Sequence, residues 1–252
     1  MERSEETPGI EVRAINTHAE FEQATELQRV IWGFSDAELM PVRLFVIAEK
    51  VGGQVFGAFD GERMIGFCLA LPGLKANGMG YIHSDMLGVL PEYHNQGVGR
   101  MLKLEQRDDA LTRGIDLIEW TFDPLELKNA YFNIERLGAI VRRFVPNQYG
   151  RTTSTLHGGM PTDRCVAEWW ISSLRVETIL DGQRPPLPEI EARISVPVSI
   201  SDMRKEDPKQ AAEIQKSVRT QFTRYFERGL AVVGFEKTET EGTYLLGPWK
   251  LE

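Results

Sequence analysis

Residues 86–102 read MLGVLPEYHNQGVGRML. The stretch begins as an apolar strand, passes through a loop that holds Gly97 and Gly99, and continues with the apolar spacing of a helix. The N-terminus of a helix has unpaired N–H groups and a partial positive charge, and glycine lets the backbone come close to a ligand. The order of strand, glycine loop and helix therefore predicts a site for an anion such as phosphate.

Two cations lie in the predicted first turn of this helix. Arg100 and Lys103 occupy positions where a helix on structural grounds alone would prefer carboxylates. We interpret this inversion as support for an anionic ligand. Two other phosphate loops are excluded, because the sequence has no Gly-x-x-x-x-Gly-Lys-Ser/Thr and no Gly-x-Gly-x-x-Gly opening a parallel unit at the first strand.

The composition limits the classes of protein to which the chain can belong. It has 252 residues, of which 42% are hydrophobic and 26% charged, as is typical of a globular protein of one or two domains. The net charge of -8 disfavours binding to nucleic acid or to an anionic membrane. The polar start Met1–Pro8 does not resemble a secretory signal, and no apolar run approaches the ~18 residues of a membrane span. We therefore expect a cytoplasmic protein with neither nucleic-acid nor membrane partners.

The cysteines and histidines give no sign of a metal site. Cys68 and Cys165 are isolated thiols in predicted strands, where a free cysteine is usually a buried apolar residue. The 4 histidines share no metal-ligand spacing. We therefore predict that the protein needs no metal.

The spacing of apolar residues predicts alternating strands and helices. The predicted strands cover residues 10–15, 54–59, 64–71, 81–90, 115–122, 139–145 and 164–174. The predicted helices cover residues 18–32, 41–49, 99–113 and 123–137. This order indicates a mixed α/β fold, with helices on a mostly antiparallel sheet.

Local signals support several of these boundaries. Thr17 and Glu20 have the spacing of a capping box at the start of the first helix, and Gly33 is expected to end it. The Asp60-Gly61 pair predicts a hairpin turn between two strands. Residues 72–80 are predicted to form a glycine-rich loop.

The prolines of residues 181–188 mark a linker. The predicted divisions are a flexible tail at 1–9, a main domain at 10–178, the linker at 179–189 and a small C-terminal unit at 190–252. That last unit has a β-α-β-β pattern, with its helix over residues 207–228. It either completes the sheet of the main domain or packs as a second domain.

Together with this order of elements, the glycine loop resembles the pyrophosphate-binding motif of the GNAT acyltransferase superfamily, Gln/Arg-x-x-Gly-x-Gly/Ala. The motif reads HNQGVG over residues 94–99, so His94 stands where the family usually has Gln or Arg. The resemblance covers about residues 10–175 and is strongest to a subgroup whose substrates are mostly unassigned. It implies the GNAT acyl-CoA N-acyltransferase fold, a twisted and mostly antiparallel sheet flanked by helices.

The resemblance also implies a reaction and a co-substrate. An acyl-CoA would enter where the fourth and fifth strands splay apart, and an amine would attack its thioester directly. The chain would then be an acyltransferase for groups other than aminoacyl, moving an acetyl group or a larger one such as succinyl. Its acceptor would be the amine of a small molecule, with amino acids among the candidates.

The resemblance assigns the CoA contacts to backbone amides on both sides of the loop. The pantetheine arm would pair with the fourth strand at Leu87, Gly88 and Val89. The pyrophosphate would bind the amides of Gln96, Gly97, Val98, Gly99, Arg100 and Met101.

A general acid is harder to place. The family commonly has a Tyr before the Leu-Gly that ends its fourth helix, and here that position is Ile134. Tyr131 lies three residues earlier on roughly the same helical face and could replace it, although an aromatic residue in such an apolar stripe more often belongs to the core. Asn129 and Asn133 share another face, where they are either solvated or bonded to CoA or the acceptor.

A general base must take a proton from the attacking amine. We favour Asp85, because it lies just before the pantetheine segment and a carboxylate in so apolar a strand must be paired, solvated or functional. The structural alternative is that Ser84 or a loop amide satisfies it. Glu119 and Asp123, in or near the fifth strand, are the other candidates.

Two further functions remain open on sequence grounds. The chain could be a non-catalytic acyl-CoA-binding module that lost its acid at Ile134, or an interaction protein whose glycine loop is only a turn. The oligomeric state is also open, with a homodimer as one candidate.

Overall fold

The computed structural model describes residues 9–150 and 160–251. The chain forms two units, one ending at Ile118 and the other beginning at Glu119. The predicted tail lies outside the described residues except for Gly9. Among the residues described, none of the helices has the length and apolar character needed to cross a membrane.

From residue 9 onward, the first unit contains four complete strands and three α-helices. Its elements are β1 (Ile10–Ala14), α1 (His18–Trp32), α2 (Val42–Lys50), β2 (Gln54–Asp60), β3 (Arg63–Leu74), β4 (Gly80–Val89) and α3 (Val98–Thr112). The strands lie in the order β1-β2-β3-β4, and each pair is antiparallel. The helices pack against these strands, so the prediction of helices on a mostly antiparallel sheet is confirmed for this unit.

The predicted capping box, helix end and hairpin turn in the first unit are confirmed. The Thr17 hydroxyl accepts a hydrogen bond from the Glu20 amide, and the Glu20 carboxylate accepts one from the Thr17 amide, which completes the capping box. Gly33 ends α1 in the left-handed conformation with φ 66°. Asp60 and Arg63 close the β2–β3 hairpin around Gly61.

The predicted loop at residues 72–80 is partly wrong. β3 continues to Leu74, and β4 already begins at Gly80. Gly73 pairs with Tyr81, whose ring covers the space above the glycine so closely that an added Cβ would lie 2.4 Å from it. The Tyr81 ring covers the backbone at Gly73, which has no side chain of its own. The β3–β4 pairing therefore continues through a stretch whose composition predicted a loop.

The core of the first unit lies between α1, α2 and the middle strands. Phe45 of α2 stacks beside Phe21 of α1 and meets the edge of Phe67 of β3. All three rings are buried. Since each such burial contributes about 1.5–3 kcal/mol, this cluster fixes the strands that carry the glycine loop.

The remaining elements belong to the second unit, except that β5 begins two residues before its start at Glu119. They are β5 (Leu117–Phe122), α4 (Leu127–Tyr131), β6 (Ile140–Val145), β7 (Arg164–Trp170), α5 (Leu174–Leu180), β8 (Ala192–Pro197), α6 (Ile200–Glu206), α7 (Pro208–Glu227), β9 (Ala231–Lys237) and β10 (Glu241–Gly247). The strands lie in the order β5-β7-β6-β9-β10-β8. The β7–β6, β6–β9, β9–β10 and β10–β8 pairs are antiparallel, so the predicted fold class is confirmed here as well.

The last strands of the chain continue the sheet of β6 and β7. Val141 of β6 pairs with Val232 of β9. Tyr244 of β10 is fully buried, and its hydroxyl donates to the carbonyl of Pro124. The C-terminal strands are therefore hydrogen-bonded into the sheet that contains β6 and β7.

Some elements of the second unit differ from the predictions. The helix predicted from residue 123 begins only at Leu127, because Asp123 instead accepts the amide of Leu125 in a local turn. The strand predicted to residue 174 ends at Trp170, and Ser173 caps the unpredicted α5. The unpredicted α6 precedes the long helix predicted at residues 207–228, which runs over Pro208–Glu227 with Asp207 as its cap.

Candidate active site

A β-bulge in β4 marks the first candidate catalytic residue. Leu69 of β3 pairs with Met86, while the next residue of β3, Ala70, pairs with Ser84. Asp85 is therefore the extra residue, with no partner on β3. Bulges re-aim side chains and are frequent next to active sites, and no pattern in the sequence indicated this one.

The carboxyl of Asp85 is accessible and unlike an ordinary surface carboxyl. Its side chain is exposed, and no hydrogen bond or ion pair engages it within residues 9–150 and 160–251. Desolvation by the surrounding protein nevertheless raises its pKa, and the charge of nearby His83 opposes this shift. A carboxylate that is accessible and more basic than usual is suited to accept a proton.

Ser84 does not satisfy Asp85, as the structural alternative required. Ser84 is buried and donates its hydroxyl to Oε1 of Gln106 at 3.0 Å. It accepts a hydrogen bond from Nζ of Lys103 at 2.7 Å. The serine therefore belongs to a buried network on the α3 side of the strand.

Lys103 does not serve the role that the sequence indicated. Its side chain is only 3% exposed and faces the sheet, so it adds no charge at the surface of the helix N-terminus. Burial lowers its pKa to about 7, opposed by the nearby Cys68 thiol. A signal was present in the sequence, because Lys103 lies beside Leu102 and Gln106 on the apolar stripe of α3.

The start of α3 has the properties predicted for an anion site. Gly97 is the N-cap, with φ 81°, and no side chain caps the helix. The amides of Arg100 and Met101 both bond to the carbonyl of Gly97. The amides of Gly97, Val98 and Gly99 have no acceptor in the part of the chain that the structure describes.

The loop before α3 holds these amides in place. Asn95 also has positive φ, at 63°, so two left-handed residues lie within three positions. The side chain of Gln96 donates to the carbonyl of Glu92. Such alternating loops direct successive N–H groups into one concavity, which is a frequent form of anion site.

His94, at the first position of the glycine motif, contacts the backbone of β4. Its Nε2 lies 2.9 Å from the carbonyl oxygen of Val89, the last residue of β4. The imidazole thereby ties the beginning of the loop to the end of the strand. This contact depends on the path of the loop, so sequence reasoning missed it.

The backbone amides of the three predicted pantetheine contacts do not all point to the same side of β4. The amide of Leu90 donates to Ile65 of β3, and directions alternate along an antiparallel pair. The amides of Leu87 and Val89 therefore face the edge away from β3, whereas the amide of Gly88 faces β3. Gly88 is explained by packing instead, because a larger residue would not fit there: an added Cβ would lie 2.8 Å from Ile31 and Trp32 of α1.

The predicted residues near α4 belong to the second unit. Tyr131 is 42% exposed, so it is not the core aromatic that the sequence allowed. Ile134 is fully buried, so the two do not share a face. The α-helix gives way to a π-helical turn over Phe132–Arg136, which breaks the expected spacing. For the same reason Asn129 is exposed while Asn133 is buried.

The two alternative bases are engaged in ion pairs. Glu119 is 4% exposed and pairs with Arg143. Asp123 is 6% exposed and lies 2.7 Å from Arg204, which also pairs with Glu126. A carboxylate already engaged by a guanidinium is less available to a substrate amine, so Asp85 is the better candidate of the three.

The thiols fit the prediction of buried apolar residues. Cys68 is fully buried, and desolvation raises its pKa to about 12. Cys165 is also buried with a raised pKa, again chiefly by desolvation. Among the described residues no cluster of three or more His, Cys, Asp or Glu side chains could hold a metal ion.

Comparisons with known proteins bear on the family and the fold. Residues 21–138 match the model of the acetyltransferase (GNAT) family. The comparison with curated proteins found no match. Many solved structures share the fold.

Three of these structures illustrate the likeness. The ribosomal-protein-S18-alanine N-acetyltransferase from Escherichia coli has a TM-score of 0.52 and 18% identity, covering 65% of this chain and 94% of its own. Salmonella typhimurium yncA, solved with its cofactor acetyl-CoA, has a TM-score of 0.53 and 14% identity, covering 65% and 95%. Arabidopsis thaliana NAA60 in complex with acetyl-CoA has a TM-score of 0.51 and 16% identity, covering 64% and 99%. At these identities the likeness concerns the fold.

Proposed function

We propose, on the premise that residues 21–138 make this chain a member of the acetyltransferase (GNAT) family, that it transfers an acyl group from CoA to an amine. The acyl group is acetyl or a larger one such as succinyl, and the acceptor is a small molecule, with amino acids as candidates. The acyltransferase domain is assigned to residues 10–178. The net charge of -8 speaks against nucleic acid as the acceptor.

The observation that carries the proposal is the uncapped start of α3. The three amides of Gly97, Val98 and Gly99 lack acceptors among the described residues, at the positive end of a helix of 15 residues. Leaving such groups without partners is costly unless water or a ligand satisfies them. An anion such as the pyrophosphate of CoA would satisfy all three and gain from the helix dipole. The remaining predicted contacts, Gln96, Arg100 and Met101, contribute by shaping the same turn.

The edge of β4 supplies the second set of contacts. The amides of Leu87 and Val89 face away from β3 and are the proposed partners of the pantetheine arm, while Gly88 makes room for α1. The bulge at Asp85 lies at the opposite end of this segment from the glycine loop. An extended ligand bound along the strand would therefore run from the loop toward the carboxyl.

Asp85 is the proposed general base. The attacking amine must lose a proton to become nucleophilic, and the Asp85 carboxylate is accessible with a raised pKa. Its two competitors, Glu119 and Asp123, are held by arginines. The amine then forms the new amide bond as the thioester bond breaks, and the thiolate of CoA leaves.

The leaving thiolate needs a proton or a stabilising donor. Tyr131 is the proposed acid, because its hydroxyl side chain is exposed and Ile134 offers none. Thiols are fairly acidic, as the cysteine pKa of about 8.5 illustrates, so a thiolate can also leave without a strong acid. Asn129 is exposed and stays a candidate contact for the ligands, as does the more buried Asn133.

A non-catalytic acyl-CoA-binding module is the second candidate function. One specific observation favours it, namely that the family's usual acid position is the fully buried Ile134. The two functions share the CoA site and differ in turnover.

A calorimetric titration with acetyl-CoA and succinyl-CoA tests the proposed site. We expect Gly99→Leu to weaken binding about tenfold or more, because the side chain would stand before the unpaired amides. The protein itself leaves room, since an added Cβ would meet only Leu87 at 3.6 Å. Gly80→Leu is the control, because nothing lies within 4 Å of a Cβ there and its φ is not positive.

The outcomes separate the candidate functions. Binding that Gly99→Leu weakens and Gly80→Leu leaves unchanged supports the CoA site, and turnover with an amine then distinguishes enzyme from binding module. If the folded wild type binds neither acyl-CoA, the glycine loop is only a turn and the proposal fails.

A further inference from the structure

A cavity of about 400 Å³ lies in the second unit, and its lining includes none of the residues proposed for acyl-CoA binding or catalysis. Its walls come from α5, from the proline-rich stretch before β8, and from the last residues of the chain. The size falls within the range of small-molecule sites, which are about 300–1,000 Å³.

The walls of the cavity are held rigidly. Leu187 packs over Gly234 of β9, where an added Cβ would lie 3.4 Å from it. The backbone carbonyl of Glu189 passes over Gly247 of β10, only 2.5 Å from the position of a Cβ. Proline at three of the four positions 185–188 further limits the backbone. The cavity is therefore largely preformed.

The lining is apolar and has an aromatic wall. Leu174 of α5 and Leu187 line the cavity and are 63% and 47% exposed, respectively. Trp249 also lines it and is fixed by stacking against Trp170 and by the guanidinium of Arg142, 4.7 Å from its ring. Such surfaces gain free energy when an apolar group covers them.

Arg175 supplies a charge to this apolar cavity. Its Nε donates to the carbonyl of Gly138 at 3.0 Å, which is the one hydrogen bond of this guanidinium among the residues described. No carboxylate there lies within ion-pair distance of it. Burial lowers its pKa, and Glu135 opposes this only by a longer-range charge. A desolvated guanidinium without a carboxylate favours an anionic partner.

We propose that this cavity binds an apolar monocarboxylate, with the ligand's carboxylate on the guanidinium of Arg175 and its aromatic or branched aliphatic body against Leu174, Leu187 and Trp249. Lys250 also lines the cavity and adds a second cation. A guanidinium can hold a carboxylate through two parallel hydrogen bonds, which selects an acid over its neutral amide.

The probes are naphthylacetate and the isosteric neutral compound naphthylacetamide, titrated into the full chain by calorimetry and tryptophan fluorescence. We expect saturable binding of the acid at one site, about tenfold tighter than binding of the amide. Arg175→Gln keeps a donor for Gly138 and should remove that preference. Leu187→Asp should weaken the acid about tenfold, because it removes an apolar contact and adds a repelling charge.

Leu74→Asp is the matched control, since Leu74 is 74% exposed at the end of β3 and should leave binding unchanged. Equal binding of acid and amide by the wild type, or no saturable binding of the acid, overturns the proposal. A folded Arg175→Gln variant that keeps the preference does the same. If that variant does not fold, the wild-type preference and Leu187→Asp, at an exposed position, decide the question. None of these readouts depends on acyl-CoA binding.

Discussion

The amine of Lys103 donates a hydrogen bond of 2.7 Å to the hydroxyl of Ser84, the residue before the bulged Asp85. The same amine lies 3.1 Å from Oε1 of Gln106, which also accepts from Ser84. The side chain of Gln54 donates to the backbone of Gln106 and so extends the network to β2. Side chains of α3 thus bind the buried face of β4 at Ser84, while the next residue, Asp85, is exposed.

Lys103 should make stability depend on pH. Its pKa falls from 10.5 in the unfolded chain to about 7 when folded, chiefly by burial. Between these values the unfolded state binds the extra proton, so the free energy of unfolding should rise with pH from about 7 to 10.5. The upper bound of this rise is about 5 kcal/mol.

Urea unfolding of the variant Lys103→Met at several pH values checks this expectation. The variant should lose the rise and be more stable than the wild type near pH 6, where the wild type buries a charge. Lys216→Met, at an exposed position on α7, should leave the pH dependence unchanged. Parallel pH curves for the wild type and Lys103→Met would contradict the assignment.

Asp85→Asn should lower turnover with little change in acyl-CoA affinity. The amide cannot accept the proton of the attacking amine, so a loss of about 100-fold or more is expected. In the wild type the rate should rise with pH through the raised pKa of this carboxyl, as the carboxylate forms. The variant should lack that limb of the pH–rate profile.

The matching control for Asp85 is Asp108→Asn, at an exposed carboxyl of α3. It should leave both the rate and its pH profile intact. Wild-type turnover in Asp85→Asn would assign the base elsewhere, and Glu119 and Asp123 would be examined next.

His94→Ala should weaken acyl-CoA binding about fivefold, because the loop loses its hydrogen bond to Val89 and is no longer held in the binding conformation. His94→Gln places the family's usual residue there and should restore much of the affinity. The measurement is the Kd for acetyl-CoA. His18→Ala, on the exposed start of α1, should have no effect. Equal Kd values for the wild type and His94→Ala would mean that the contact does not order the loop.

Arg204→Met should destabilise the protein by about 3–5 kcal/mol, because it removes the guanidinium that pairs with the buried carboxylate of Asp123 and the half-buried carboxylate of Glu126. Chemical denaturation measures this loss. Arg193→Met removes an arginine from an exposed pair with Glu236 and should cost no more than about 1 kcal/mol. Losses of similar size in both variants would show that burial of the pair is not the cause.

Several features were predictable because they depend only on residues near each other in sequence. The capping box of Thr17 and Glu20 needs a spacing of three, and the hairpin at Gly61 needs two strands joined by a tight turn. The glycine loop before α3 was likewise predictable, because the positive φ of Gly97 at the helix N-cap is a local property that glycine adopts without strain. These local preferences were sufficient to indicate the mixed α/β fold and the anion site.

Other features required the tertiary structure because they depend on the position of distant residues. The bulge at Asp85 exists only in the register with β3, and the direction of Lys103 depends on how α3 lies on the sheet. The arginines that engage Glu119 and Asp123 are 24 and 81 residues away, respectively, so no local pattern could eliminate these carboxylates. The sequence by itself indicated the proposed anion site, whereas only long-range packing decided which of the three candidate carboxylates is accessible.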